Sequence, residues 1–329
     1  MEVNFNNVFD NFKNLNVLII GDVMVDEYYV GDVNRISPEA PVPVVSVTKR
    51  DRRLGGAANV ALNIKELGAN PILCSIRGND ISGEWIHSTL NELGLDNAGI
   101  LIDHNRPTTI KTRIIGNKLQ LLRVDQEDCS EVSTSIEKNV LDFVKSQISK
   151  VDVVIFQDYN KGLLTKKVIS SGIKICQKHD VPTLVDPKKD HFLDYKGVSL
   201  FKPNRKEISD GLKLKGELDT QVEIEKAMRL LASKLGTKRV LLTLSEMGVA
   251  ILDNDNIHFM DAHPRKIIDV SGAGDSVISV AALAVASSLS WKAVAELSNL
   301  AGGLVCEQVG VVAIDKTRLL EEASKLSLS

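Results

Sequence analysis

An aspartate that closes a glycine-rich turn is the first feature of this sequence with chemistry in it. Ser271-Gly272-Ala273-Gly274-Asp275 runs into VISVAALAVA, a stretch of small and apolar residues that suits a buried helix. Glycines permit a tight turn and a close backbone approach to a ligand. A turn of that kind opening a helix aims several N–H groups, and the positive end of the helix dipole, at one spot. The ligand expected there is an anion, most often phosphate. Asp275 in the first helical turn could simply complement the dipole. Beside an anion pocket it could also take a proton from a substrate hydroxyl while the amides of 272–275 hold charge on a transferring phosphoryl group.

Other segments offer partners for that site. Gly55-Gly56-Ala57-Ala58-Asn59 leads into a helical stripe, VALNIKELGA. Asn59 there is either a helix cap or a donor and acceptor for sugar-like hydroxyls. Asp26 follows the apolar run VLII and the turn Gly21-Asp22, beyond the carboxyl end of a first strand, where open α/β sheets bind ligands. Asn204 and Glu207, three apart at a helix start, read equally as a capping box or as holders of the waters around Mg²⁺. Lys161, Lys188 and Lys189 lie in loops after successive strands and give local positive charge suited to a phosphorylated substrate. Thr243, Ser245 and Gly248 sit in a turn between two strand-like runs and could line a nucleotide phosphate tail.

The elements that must position these residues alternate. Strand and helix patterns follow one another over 71–76, 82–94, 133–149, 151–157, 164–178 and 182–185. That rhythm predicts a mostly parallel central sheet with helices on both faces, an α/β fold. Residues 28–54 and 107–124 break the pattern with prolines and alternating valines, and Gly116-Asn117 makes a plausible hairpin turn. They are expected to pair into a small β-sheet inserted in the core of a single domain spanning 1–329. Such a sheet could act as a lid that excludes water, as a dimer contact, or as both.

Composition narrows the classes. A formal net charge of −3 leaves no basic surplus for general nucleic-acid binding. Four scattered cysteines without a C-x-x-C pair read as reduced thiols. The polar, acidic first residues are unlike a signal peptide, and the apolar run near 277–289 is too interrupted for a membrane span. A soluble, cytoplasmic protein is the expectation. Neither a Gly-x-Gly-x-x-Gly nor a Walker-type phosphate loop occurs, and the six histidines lack metal-ligand spacing.

The two glycine motifs in this order resemble the PfkB/ribokinase family of carbohydrate kinases. Gly55-Gly56, Asn59, Gly68 and Gly78 fit its first signature. Asp269-Val270-Ser271-Gly272-Ala273-Gly274-Asp275 fits the second, with Val280 where a small Ala or Gly is usual. Asn204-x-x-Glu207 lies between them. GDVMVDEYYVGDVNRISPEAPVPV, QDYNKG and DPKK before KPN are similar to the heptose 7-phosphate kinase branch. The resemblance implies a ribokinase-like fold with a β-sheet lid, ATP and Mg²⁺, and phosphorylation of the C1 hydroxyl of D-glycero-D-manno-heptose 7-phosphate for nucleotide-activated heptose and lipopolysaccharide precursors. Kinases of the fructose 6-phosphate or ribose type, and a non-catalytic sensor on the same fold, are the alternatives. It implies Asp275 as base, with Gly272, Ala273 and Gly274 as anion hole. Asp26, Gly55, Gly56 and Asn59 would hold the sugar. Lys161, Arg35, Arg113 and Arg123 are candidates for its phosphate. Asn204 and Glu207 would organise Mg²⁺, while Ser271, Thr243, Ser245, Gly248 and Asn299 would line the nucleotide. Asp269 is the candidate position for a monovalent cation such as K⁺. No His-x-Gly-His nucleotidyltransferase motif occurs, so a stand-alone kinase is expected, forming a homodimer through the lid.

Overall fold

The structure, a computed structural model, describes residues 3–216 and 218–326. The chain opens with helix α1 (Phe5–Asn11), strand β1 (Asn16–Gly21), the long hairpin of β2 (Val23–Ile36) and β3 (Pro43–Gly56), and α2 (Ala57–Glu66). Strand β4 (Asn70–Gly78), α3 (Ile81–Glu92), β5 (Ile100–Asp103), and a second hairpin of β6 (Ile110–Gly116) and β7 (Leu119–Gln126) follow. Next come α4 (Thr134–Gln147), β8 (Val153–Gln157), α5 (Lys166–Lys178), β9 (Thr183–Asp186), β10 (Leu200–Phe201), α6 (Arg205–Leu212) and α7 (Gln221–Leu235). Strands β11 (Arg239–Thr243), β12 (Val249–Asp253) and β13 (Asn256–Met260) precede α8 (Ala273–Ala286), α9 (Trp291–Val305) and α10 (Lys316–Ala323).

Apolar residues at consecutive positions of β1 and β8 require cover on both faces. Val17, Ile19, Val153 and Ile155 join a core with α1, α2, α3, α8, α9 and α10. Leu18, Ile20, Val154 and Phe156 join the opposite core, under α4, α5, α6 and α7. The sheet between them has nine strands in the order β13-β12-β11-β10-β9-β8-β1-β4-β5. It is parallel except at the β11–β12 and β12–β13 pairs. Chain order runs outward in both directions from the neighbours β1 and β8. That makes the crevice beyond their carboxyl ends a topological switch point, where such sheets bind ligands.

The second sheet has four strands, β3-β2-β6-β7. Its strands reach further than the sequence pattern suggests, starting at Val23 and ending at Gly56 and Gln126, because β2 and β3 stay paired right back to the core. The β6–β7 turn is also displaced by one residue. Gly116 ends β6 and the turn is made by Asn117 and Lys118, both with positive φ. That double left-handed geometry matches the right-handed twist of a two-residue hairpin.

Gly55 and Gly56 end β3 for different physical reasons. Gly56 has φ +60°, and a Cβ there would strike the Asp22 carbonyl. At Gly55 a Cβ would fall on the Asp26 carboxylate. Gly56→Ala should therefore destabilise the whole fold, by about 1–3 kcal/mol or more in denaturant unfolding. Gly55→Ala should instead displace the Asp26 carboxylate, with a smaller loss than Gly56→Ala in the same unfolding measurement.

Candidate active site

The two motifs meet where α2 and α8 pack together. Gly272 (φ +82°) lets the chain turn into α8, so that Asp275 stands in the first turn and is only 3% exposed. Asn59, in the first turn of α2, donates from Nδ2 to Asp275 Oδ2 at 2.7 Å. One turn on, Asn63 Nδ2 donates to the Asn59 carbonyl, and Asn63 Oδ1 accepts from Ser276 Oγ and from the Ile314 N–H. This polar seam in an apolar contact fixes the rotation of each helix, since every buried polar group needs its partner. Asp275 Oδ1 accepts from Gln157 Nε2 at 3.0 Å and from the Tyr159 hydroxyl at 2.8 Å. Burial pushes the Asp275 carboxyl up to about 7. The Asn59 and Tyr159 hydrogen bonds and the Lys202 charge oppose that rise, and the neighbouring Asp186 charge adds to it. A carboxylate so poised can accept a proton near neutral pH.

The expected anion hole is partly occupied by the chain itself. The Ala273 N–H already donates to the Val270 carbonyl at 3.3 Å. Beside Gly274 lie Asp186 and Lys202, which form a buried ion pair at 3.0 Å. Ser271 N–H and Gly310 N–H donate to the two oxygens of Asp269. Partial burial works against the Asp269 charge, but these backbone donors outweigh it and hold the carboxyl below its ordinary range.

On the small-sheet side, Asp26 is buried and paired with Arg113. Arg113 and Arg53 both lie over the Tyr28 ring, and Arg53 reaches the Val309 and Val311 carbonyls. The sheet thus contacts the loop behind the α8 turn. Lys161 pairs with Glu127 at 2.8 Å, Lys111 lies 3.4 Å from Asp125 and 3.6 Å from Glu127, and Arg123 pairs with Asp125. Arg35 is not brought to this cluster. It lies nine residues beyond Asp26 on β2, exposed, opposite Val44, roughly 25–30 Å along the strand. Its sequence neighbourhood suggested a basic lid residue near the sugar, but the length of the hairpin carries it away.

On the opposite side, Asn204 and Glu207 form the capping box of α6. Asn204 Oδ1 accepts from the Glu207 N–H, and Glu207 Oε2 accepts from the Asn204 N–H, each at 2.8 Å. Glu207 Oε1 pairs with Lys188, whose ammonium lies 5.5 Å from the Tyr159 ring centroid. Thr243 is bridged to Asn204, and Ser245 (φ +56°) opens the turn after β11. A Cβ at Gly248 (φ +85°) would strike the backbone at Met260–Ala262, and Asn299 Nδ2 donates to the Asp261 carbonyl at 2.8 Å. These residues therefore line one continuous edge. Among the described residues no three His, Cys, Asp or Glu side chains converge as metal ligands. Glu207 Oε1, the one carboxylate oxygen outside the box, is taken by Lys188, so the Asn204/Glu207 pair could meet a hydrated Mg²⁺ only through water and beside that ion pair, and does not suit a metal needing several direct protein ligands.

The pfkB family carbohydrate kinase pattern matches residues 14–318. The chain belongs to that family. The bifunctional protein HldE of Desulfatibacillum aliphaticivorans is 40% identical over 309 residues, covering 94% of this chain and 63% of that relative. This chain therefore spans less than two thirds of the relative's length. In fold it is similar to Arabidopsis thaliana ribokinase complexed with ribose and ATP (TM-score 0.75, 17% identity, 95% and 99% of the two chains). It is also similar to Escherichia coli phosphofructokinase-2 in complex with potassium (TM-score 0.75, 18% identity, 94% and 99%). Its fold is ribokinase-like.

Sequence reasoning missed several groups that the fold brings to Asp275. Gln157 and Tyr159 flank the end of β8, and Asp186 and Lys202 the ends of β9 and β10. Their sequence signals are position at the ends of consecutive strands and the QDYNKG, DPKK and KPN runs, none of which says which side chain turns inward. Because a base works only when ionised, kcat/KM should fall as pH drops below about 7, by up to tenfold per pH unit. Asp275→Asn should lower kcat/KM by roughly 10²–10⁴-fold above pH 7 and abolish that limb, so that the gap to the wild type narrows as pH falls, checked by ADP release.

Proposed function

We propose that this kinase transfers the γ-phosphoryl group of ATP to the anomeric hydroxyl of D-glycero-D-manno-heptose 7-phosphate, giving the 1,7-bisphosphate for nucleotide-activated heptose. The observation that carries the reading is the placement of Asp275, at the first turn of α8 and hydrogen-bonded to Asn59 of the first glycine motif. Asp275 takes the proton of the sugar hydroxyl as its oxygen attacks, and the free amides at the Gly272–Gly274 turn face the charge on the transferring group. Asp26, with Gly55 leaving its carboxylate room, holds sugar hydroxyls. Mg²⁺, held through water by Asn204 and Glu207, would supply charge compensation on the ATP phosphates. Ser271, Thr243, Ser245, Gly248 and Asn299 line the nucleotide.

For the sugar phosphate, the basic cluster of Lys161, Lys111, Arg113 and Arg123 is the best-placed candidate, each cation now neutralised by a lid carboxylate. The motifs around Asp26, Tyr159 and Lys188 and the HldE similarity support a heptose phosphate over fructose 6-phosphate or ribose. Asp269, which ties the Ser271 and Gly310 loops together, is the position for K⁺. An ADP-release assay with MgATP over heptose 7-phosphate, fructose 6-phosphate and ribose should show the highest kcat/KM for the heptose. A clear preference for either other sugar overturns the substrate assignment, and nucleotide binding without turnover of any overturns the kinase mechanism.

The small sheet also suits a second copy of the chain. Leu122 is 57% exposed and Val124 50%, opposite Ile114 and Thr112 on the face that also carries Glu27. An exposed apolar sheet face of this kind invites burial by a partner. Leu122→Asp with Val124→Asp should convert a dimer to a monomer in sedimentation velocity. A wild-type chain that sediments as a monomer overturns the dimer.

A further inference from the structure

The hydrogen bonds around Asp275 are unequal on its two oxygens. An ionised carboxylate has about four acceptor sites, two on each oxygen. Oδ1 accepts from Gln157 Nε2 and the Tyr159 hydroxyl, which fills it. Among the described residues, Oδ2 accepts from Asn59 Nδ2 alone, on the side where the Gly272 turn passes close to that amide. The geometry points to a division of labour, resting on Asp275 as the base: Oδ2 takes the substrate proton, and Tyr159 is the positioning residue that locks Oδ1 and keeps Asp275 ionised.

Tyr159 is held for that task from three directions. Its backbone N–H donates to Asp22 Oδ2 at 2.9 Å, and the Lys161 N–H donates to the same oxygen, so Asp22 pins the loop after β8. Its ring lies under the Lys188 ammonium, itself paired with Glu207 at the start of α6. Its hydroxyl proton points at a group that can only accept. Glu207, Lys188, Tyr159 and Asp275 thus form one contiguous chain of contacts from the candidate Mg²⁺ residues to the base. Gln157 cannot turn away to substitute, because its Nε2 is shared with Asp186 Oδ2 at 3.2 Å.

The charged groups facing the Asp275–Tyr159 pair are Asp186 from β9, Lys188 from the loop after it, Lys202 after β10 and Asp26 from the small sheet. None of them changes when Tyr159 loses only its hydroxyl. A hydrogen bond to the charged form favours that form, so its loss should raise the pH at which Asp275 ionises.

The test is the pH profile of kcat/KM for Tyr159→Phe, which keeps the ring under Lys188. ADP release is followed with MgATP and whichever of heptose 7-phosphate, fructose 6-phosphate or ribose the wild type turns over fastest. The acid limb should move up by roughly one pH unit, giving about a tenfold loss at pH 6 that recovers at pH 8.5, with the KM for MgATP unmoved. Recovery at high pH shows that the variant is folded. Gln157→Met, which removes the other Oδ1 donor, should shift the limb the same way should Tyr159→Phe express poorly. An unshifted limb, or a loss equal at every pH, overturns the role of Tyr159. Asp275→Asn measured alongside separates the two claims. If it is inactive while the Tyr159→Phe limb stays in place, only the positioning role falls; if it is fully active, the base assignment falls first.

Discussion

The site depends on one hydrogen bond between residues far apart in sequence, from Asn59 to Asp275. Each residue sits in the first turn of a helix that follows a glycine with positive φ, Gly56 for α2 and Gly272 for α8. Both helices belong to one apolar core, where a lone amide or carboxylate would be costly to bury. Pairing them offsets that cost. It also sets helix rotation and depth, so the Asp275 carboxylate is located by the packing of the core and not by a flexible loop. The same burial that demands a partner raises the Asp275 carboxyl into the range where a base is useful.

Around that bond the molecule separates two polar edges. The small sheet brings Asp26 and a set of neutralised cations to one side. The ends of β9, β10 and β11 bring Lys188, Lys202, the Asn204/Glu207 box and Thr243 to the other. The switch point between β1 and β8 lies between them, with Asp22, Gln157 and Tyr159 at its lip. A sugar and a nucleotide held one on each edge would meet at that switch point. Close pairing of opposite charges across both edges keeps the open site from carrying isolated buried ions.

The order of elements was legible in the residues because strands buried on both faces leave unmistakable apolar runs. Helix starts were legible too, since Asn204 and Glu207 carry the capping signature that the structure displays in full. Less legible were the reach of the β2–β3 hairpin and the identity of the residues around Asp275. Arg35 and Arg113 look alike in sequence as lid arginines. Strand length sends one to the far end of the sheet and register sets the other on Asp26. The QDYNKG run marked Gln157 and Tyr159 as part of a resemblance but not as partners of Asp275, because a residue ending a strand can face either way.

What the sequence by itself determined was the family, the alternation of strands and helices, and the two glycine turns that must hold positive or crowded backbone. Those are local properties, written in residue size, polarity and spacing. Tertiary structure alone decided which polar groups share a hydrogen bond. Partners such as Asn59, Gln157, Tyr159 and Asp275 come together only when separate helices and strands are packed to a fixed depth, and no local pattern encodes that depth.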